Sequence, residues 1–179
     1  MTQLGPQSPG SAVSPGKYRL LGFILLLGVA LDQLSKWWVA QTLAPQAVVP
    51  IIPGFFNLVH VYNKGAAFGL LATWPSAGVR FFFVGVNLLI LAVLGYLYQR
   101  TPREYPLFLW GYSLVLSGAV GNLVDRLRWG EVLDFLDFYL GRHHWPAFNV
   151  ADSLICVGAG LLVLAMWRTE EERDVSRSA

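Results

Sequence analysis

Four stretches of the chain run apolar and almost uncharged for about 20 residues, and polar segments rich in proline and glycine separate them. The first covers residues 20–39, enters after Lys17 and Arg19, and ends on Trp37 and Trp38. The second covers residues 79–98, with Arg80 near its start able to reach the interface. The third, residues 105–124, carries Gly111, Ser117, Gly118 and Gly121, the small residues that let helices pack closely. The fourth covers residues 150–167. A bilayer is crossed by about 20 consecutive apolar residues in a helix, so the pattern predicts four membrane-spanning helices.

The intervening segments carry a different period. Between the first two spans, Pro45, Pro50, Pro53 and Gly54 punctuate the chain, and Phe55 to Tyr62 reads FFNLVHVY, rich in β-formers. This predicts a strand or hairpin, in which His60 is a surface or packing residue. Asn63-Lys64-Gly65 follows as a turn. Between the last two spans, the alternation Leu133-Asp134-Phe135-Leu136-Asp137-Phe138 fits either a strand or an interfacial helix. The fold class is therefore membrane α-helical, with a small sheet outside the bilayer. Its organisation is a disordered tail over residues 1–16, one domain over residues 17–168, and a charged tail over residues 169–179.

Composition agrees with that class. Of 179 residues, 55% are hydrophobic and 13% charged, against about 25% charged in an average soluble domain. A net charge of +2 without a basic stripe excludes a nucleic-acid partner. Cys156 is the only cysteine, so no intramolecular disulfide forms, and it reads as a small buried packing residue. No metal or cofactor is predicted: His143-His144 lacks the spacing of an H-E-x-x-H zinc site. The first span reads as uncleaved, because Asp32-Gln33-Leu34-Ser35-Lys36 stands where a cleavage site would follow. Lys17, Arg19, Arg100, Arg103, Arg168, Arg173 and Arg177 put both termini on the cytoplasmic side.

The chemistry sits at the span edges. Asp125 closes the third span and Asp152 opens the fourth, each preceded at three residues by an asparagine, Asn122 and Asn149. At helical pitch each Asn–Asp pair shares a face, and ionisable groups at membrane depth are costly enough to suggest function. Two close carboxylates share a proton and can act as acid and base on a carbonyl and a water. The structural alternatives are a capping box for Asn149 and Asp152, and a helix-end ion pair for Asp125 and Arg126. Asp32 and Lys36, four residues apart, form an ion pair or support the site. Helix dipoles favour ionised Asp152 and a shared proton on Asp125, with Arg126 acting against this.

Four ordered blocks identify a resemblance: Asp32-Gln33-x-x-Lys36, Asn63-x-Gly65-Ala66-Ala67-Phe68, Gly118-Ala119-x-Gly121-Asn122-x-x-Asp125-Arg126 and Phe148-Asn149-x-Ala151-Asp152-Ser153. Together they resemble the lipoprotein signal peptidase (signal peptidase II) family of bacterial membrane aspartic peptidases. The resemblance implies catalytic roles for Asp125 and Asp152. It implies supporting or substrate-binding roles for Asp32, Lys36, Asn63, Gly65, Asn122, Arg126, Asn149 and Ala151. It further implies cleavage of prolipoproteins on the amino side of a diacylglyceryl-modified cysteine, contact with membrane lipid and inhibition by globomycin-type compounds. The implied setting is the inner membrane, with an extracytoplasmic sheet and a mobile short helix over a site near that face. The alternative from another class, a small proton-coupled transporter or channel subunit, would distribute its acids along the depth of the bundle.

Overall fold

The computed structural model describes residues 15–65 and 76–178. Four helices carry the apolar stretches: α1 (Pro15–Thr42), α2 (Ser76–Arg100), α3 (Pro106–Arg128) and α4 (Val150–Ser178). Each contains a segment long and apolar enough to cross a membrane. Four strands form one antiparallel sheet in the order β1 (Val48–Ile52), β2 (Phe56–Asn63), β3 (Val132–Leu140) and β4 (His143–His144).

The small residues of α3 make it the central helix. More than half of its spanning window is buried inside the protein, 56%, against 6% for α2 and 17% for α4. Its glycines face two partners. A Cβ on Gly118 would lie 2.2 Å from the Ala151 carbonyl oxygen of α4, and one on Gly111 would lie 3.0 Å from Gly158 O. Toward α1, a Cβ on Gly121 would meet Asp32 Oδ2 at 2.7 Å. Ser117 donates from Oγ to the Ile24 carbonyl at 3.2 Å, so the α1 contact is also hydrogen-bonded. In lipid, where water contributes no hydrophobic drive between helices, such close approach and hydrogen bonding hold a bundle together.

β3 runs back from the end of α3 as a strand, which settles the choice left open by its alternation. It pairs with β2 in the register Asn57↔Asp137 and Asn63↔Val132, and β4 adds Tyr139↔His144. Leu133 and Phe135 pack with Val39 of α1 in a small core, against which Leu58, Leu136 and Val150 also lie. The sheet is thereby pinned over the α1, α3 and α4 ends. His60 is buried as a packing residue, with Nδ1 2.9 Å from the Leu43 carbonyl.

Several boundaries differ from those read off the pattern. α1 begins at Pro15, two residues inside the segment assigned to the tail, because proline is well tolerated in a first helical turn. α4 continues through the charged residues to Ser178, since Glu and Arg are good helix formers and no breaker intervenes. α3 passes residue 124 and ends at Arg128, so Asp125 and Arg126 belong to its last turn. Cys156 is exposed rather than buried, on an α4 face turned away from α3. The short helix expected over the site is not found among the described residues, and Ala66, Ala67 and Phe68 of the second block lie outside them.

Gly118→Ala should lower the thermal midpoint in lipid nanodiscs, at a cost of about 1–3 kcal/mol, because the clash is with backbone. Gly85→Ala, with nothing within 4 Å of the new carbon, should stay within about 0.5 kcal/mol of the parent. Equal midpoints for the two variants would contradict the proposed packing.

Candidate active site

The site starts from the last third of α1, where the i, i+4 spacing brings Asp32 and Lys36 onto the face that meets α3. Both are buried. Lys36 Nζ lies 2.8 Å from Asp32 Oδ2 and 2.8 Å from Asp125 Oδ2. It also donates to Asn122 Oδ1 at 3.2 Å. An ammonium has three protons and no acceptor; two are given as hydrogen bonds to Asp32 Oδ2 and Asn122 Oδ1. The Asp125 contact is ionic without the alignment of a hydrogen bond. Gln33, one residue along, donates from Nε2 to Asp125 Oδ1 at 2.8 Å. Both oxygens of Asp125 are thus held by α1, one by a cation and one by an amide.

The other oxygen of Asp32 reaches α4. Asp32 Oδ1 accepts from the Ala151 backbone N–H at 2.9 Å, one of the free donors at a helix N-terminus. Asn149 supplies the N-cap: its Oδ1 accepts from Asp152 N at 3.0 Å, and Asp152 Oδ2 accepts from Asn149 N at 3.3 Å. That reciprocal pair is a capping box, so the structural role of Asn149 and Asp152 is real. It leaves Asp152 Oδ1 facing α3, where Asn122 Nδ2 donates to it at 2.7 Å.

A fourth carboxylate joins Asp32, Asp125 and Asp152 from the sheet. Asp134, in the middle of β3, accepts from Asn149 Nδ2 at 2.7 Å and from Asn63 Nδ2 at 2.9 Å. Asn63 Oδ1 in turn accepts from Gly65 N at 2.7 Å. Gly65 has φ +87°, and a Cβ there would lie 2.4 Å from the Phe83 ring, so two constraints exclude a side chain. Burial raises the Asp134 carboxyl to about 6, and the negative charge of Asp152 adds to the rise, while the Asn63 and Asn149 amides and Lys36 oppose it. Arg126 donates to the Asn122 carbonyl at 3.3 Å, lies over the Phe83 ring at 5.3 Å, and feels the charges of Asp152, Asp134 and Asp125.

All ten residues expected from the sequence, Asp32, Lys36, Asn63, Gly65, Asn122, Asp125, Arg126, Asn149, Ala151 and Asp152, therefore belong to one network. The connections within it differ from the expected ones. Asp152 is joined to Asp134 through the single residue Asn149, and to Asp125 only through Asn122 and then Lys36. Asp125 Oδ2, where the shared proton was expected, faces the Lys36 ammonium at 2.8 Å instead of a second catalytic carboxyl. Asp125 also lines a different space, a cavity of about 270 Å³ bounded by Gln33, Lys36, Trp37, Tyr62 and Trp129 among others, with neither Asp134 nor Asp152 in its wall. Gln33 and Asp134 are the participants absent from the sequence-derived set. The available signal for Asp134 was an acid flanked by Leu133 and Phe135 in a strand buried on both faces.

Four spanning helices, three of which meet the sheet around a buried cluster of carboxylates and amides, define a polytopic membrane protein with a site suited to acid–base chemistry. The family profile described as Signal peptidase (SPase) II matches residues 24–168. A lipoprotein signal peptidase of Syntrophotalea carbinolica is 47% identical over 152 residues, 85% of this chain and 93% of that protein. One from Desulforapulum autotrophicum is 50% identical over 135 residues, covering 75% and 83%. A solved structure of a bacterial membrane enzyme superposes with a TM-score of 0.76 at 30% identity, covering 86% of this chain and 91% of that one. The chain belongs to the signal peptidase II family, and is a multi-pass membrane peptidase.

Lys36→Met would leave Asp32 and Asp125 buried without their cation. Removing one partner of a buried ion pair costs about 3–5 kcal/mol, so the purified variant should unfold at a clearly lower temperature. An unchanged midpoint would mean that the cluster is solvated and carries no such load.

Proposed function

We propose that this protein removes signal peptides from prolipoproteins as an aspartic endopeptidase, with Asp134 and Asp152 as its acid–base pair. The observation that carries this reading is the unequal environment of two carboxyls tied to one asparagine. Asp134 is buried and has its carboxyl raised to about 6, so it can hold a proton. Asp152 sits in the first turn of α4 and accepts hydrogen bonds from Asn122 Nδ2 and from the Asn149 backbone N–H. Asp125, which the resemblance marked as catalytic, has one oxygen against Lys36 and the other held by Gln33, and serves better as an anchor.

The reaction follows from that inequality. Water between the pair gives a proton to Asp152 while its oxygen attacks the scissile carbonyl carbon. The Asp134 proton passes to the carbonyl oxygen, giving a neutral tetrahedral diol. Its collapse breaks the C–N bond: a diol hydroxyl returns its proton to Asp134, and Asp152 gives its proton to the leaving amine. Both carboxyls end in their starting states, as microscopic balance requires.

Family relationship supports a bond on the amino side of the lipid-modified cysteine as the target, and the named relatives are lipoprotein signal peptidases. Exposed apolar side chains on α1 and α2, among them Leu26, Leu34 and Leu89, offer acyl chains a surface continuous with membrane lipid. The positive charges near both termini support cytoplasmic ends in the inner membrane, which sets the sheet and the site at the extracytoplasmic face. Globomycin-type compounds would then inhibit by occupying the space above the pair. A transport reading gains no support, since the acids gather at one end of the bundle.

Asp134→Asn and Asp152→Asn should each lower turnover of a diacylglyceryl-modified prolipoprotein by more than the ~10²–10⁴ attributable to one acid–base group, with helical content retained. Asp125→Asn should fold less stably yet retain clearly more turnover than either. A folded, near-normal Asp134→Asn beside an inactive, folded Asp125→Asn would return the role to Asp125.

The pH profile provides a separate check. Asp134 must be protonated and Asp152 ionised, so kcat/KM should fall as pH rises through the Asp134 midpoint of about 6. Substrate covering the site would displace water and move the kcat limb higher. Because this carboxyl is raised above its ordinary 3.8, the stability it contributes is present at low pH and lost as pH rises through about 6. A kcat/KM profile flat from pH 5 to pH 8 would exclude Asp134 as the acid.

A further inference from the structure

The amide of Asn122 has one orientation consistent with its neighbours. Its Oδ1 lies 3.2 Å from Lys36 Nζ and 3.3 Å from Asn149 Nδ2. Lys36 can only donate, so the oxygen must face it. The Nδ2 group is thereby turned to Asp152 Oδ1 at 2.7 Å. A freely rotating asparagine could present either its oxygen or its amide to Asp152, and so serve the protonated or the ionised carboxyl equally well. Lys36 removes that choice. Lys36 is itself held by Asp32 and Asp125, each at 2.8 Å, and does not touch Asp152.

We propose that Lys36 is a positioning residue that fixes Asn122 as a donor to Asp152, and so assigns the base role to Asp152 and the acid role to Asp134. The proposal rests on the aspartic reading above. The charged groups around Asp152 are Asp134 on β3, Arg126 and Asp125 on α3, and Lys36 and Asp32 on α1. Of these, Lys36 acts on Asp152 through a directional amide as well as through its field. A hydrogen bond given to the ionised form favours that form, whereas an amide oxygen turned to Asp152 would favour the protonated one. Asn149 takes part in the same ordering. Its Oδ1 is committed to the Asp152 backbone N–H, which leaves its Nδ2 for Asp134 Oδ1, Asn122 Oδ1 and Leu133 O. Both amides therefore point in directions that start from Lys36 and from the α4 cap.

The test separates the directional contact from the field. Lys36→Met/Asp125→Asn removes one positive and one negative charge, so the cluster keeps its net charge while Asn122 Oδ1 loses its cationic donor and retains only the 3.3 Å contact from the Asn149 amide, itself shared with Asp134 and Leu133 O. The full-length protein in nanodiscs is assayed on a diacylglyceryl-modified prolipoprotein across pH, beside Asp125→Asn, Asn122→Leu and the triple variant. Relative to Asp125→Asn, the double variant should have its acid limb moved up by about one pH unit, so that kcat falls about tenfold on the acid side of that limb and little near neutral pH. KM should stay within about threefold. Asn122→Leu should move the acid limb in the same direction, and the triple variant should move it no further, because both changes act through one amide. An acid limb that stays in place in the double variant, or shifts that add in the triple variant, would overturn the proposal. A loss of kcat equal at every pH, accompanied by a lowered thermal midpoint, would also overturn it, reducing Lys36 to a structural cation. Asp134→Asn and Asp152→Asn are run in parallel. Normal turnover in those two would mean that the aspartic reading itself had failed, whatever Lys36 does.

Discussion

A buried ammonium between two carboxylates is the interaction on which the rest of the site depends. Lys36 and Asp32 come from one helix and Asp125 from another, and the free oxygen of Asp32 reaches the N-terminus of a third. A charge at this depth is tolerable only when it is paired with an opposite one. The requirement works as a specification: few arrangements of α1, α3 and α4 bring those oxygens to one nitrogen. The bundle is thereby set in rotation and register at the end where the sheet docks.

Close packing makes that arrangement reachable. Asp32 approaches α3 only because Gly121 has no side chain, and α4 approaches only because Gly118 has none. With backbones this near, the polar groups of three helices fall within hydrogen-bond distance of one another. Asn122 and Asn149 then act as connectors, each spending its oxygen on one neighbour and its amide on another.

The sheet adds the group that the helices lack. β3 leaves α3 shortly after Arg128 and carries Asp134 back against the α4 cap, between Leu133 and Phe135. The surroundings that raise its carboxyl are therefore tertiary: burial under β2 and the helix ends, and the charge of Asp152. Asp137, three residues further along β3, is instead satisfied by Asn57 at 2.8 Å and His144 at 2.9 Å, and serves the pairing of β2 and β4. Two acids of one strand thus end in different service because their neighbours differ.

Hydropathy alone determined the four spans, since a bilayer demands apolar length and the chain has four such lengths. The proline-punctuated, β-branched segment likewise announced the β1–β2 hairpin, and the spaced polar blocks contained every member of the network except Asp134, with Gln33 present in the first block but given no role there. Helix ends were less legible: residues 125–128 and 168–178 are polar yet helical, because helix formation continues where lipid contact stops. Which carboxylates pair was decided only in three dimensions. The matching Asn-x-x-Asp spacings of Asp125 and Asp152 are a local regularity, and local spacing carries no information about a lysine on another helix. Lys36 occupies Asp125, and the return of β3 brings Asp134, an acid in an unremarkable alternating strand, to the asparagine that caps Asp152. Pairing depends on contacts between residues far apart in the chain, so only the packed fold could assign it.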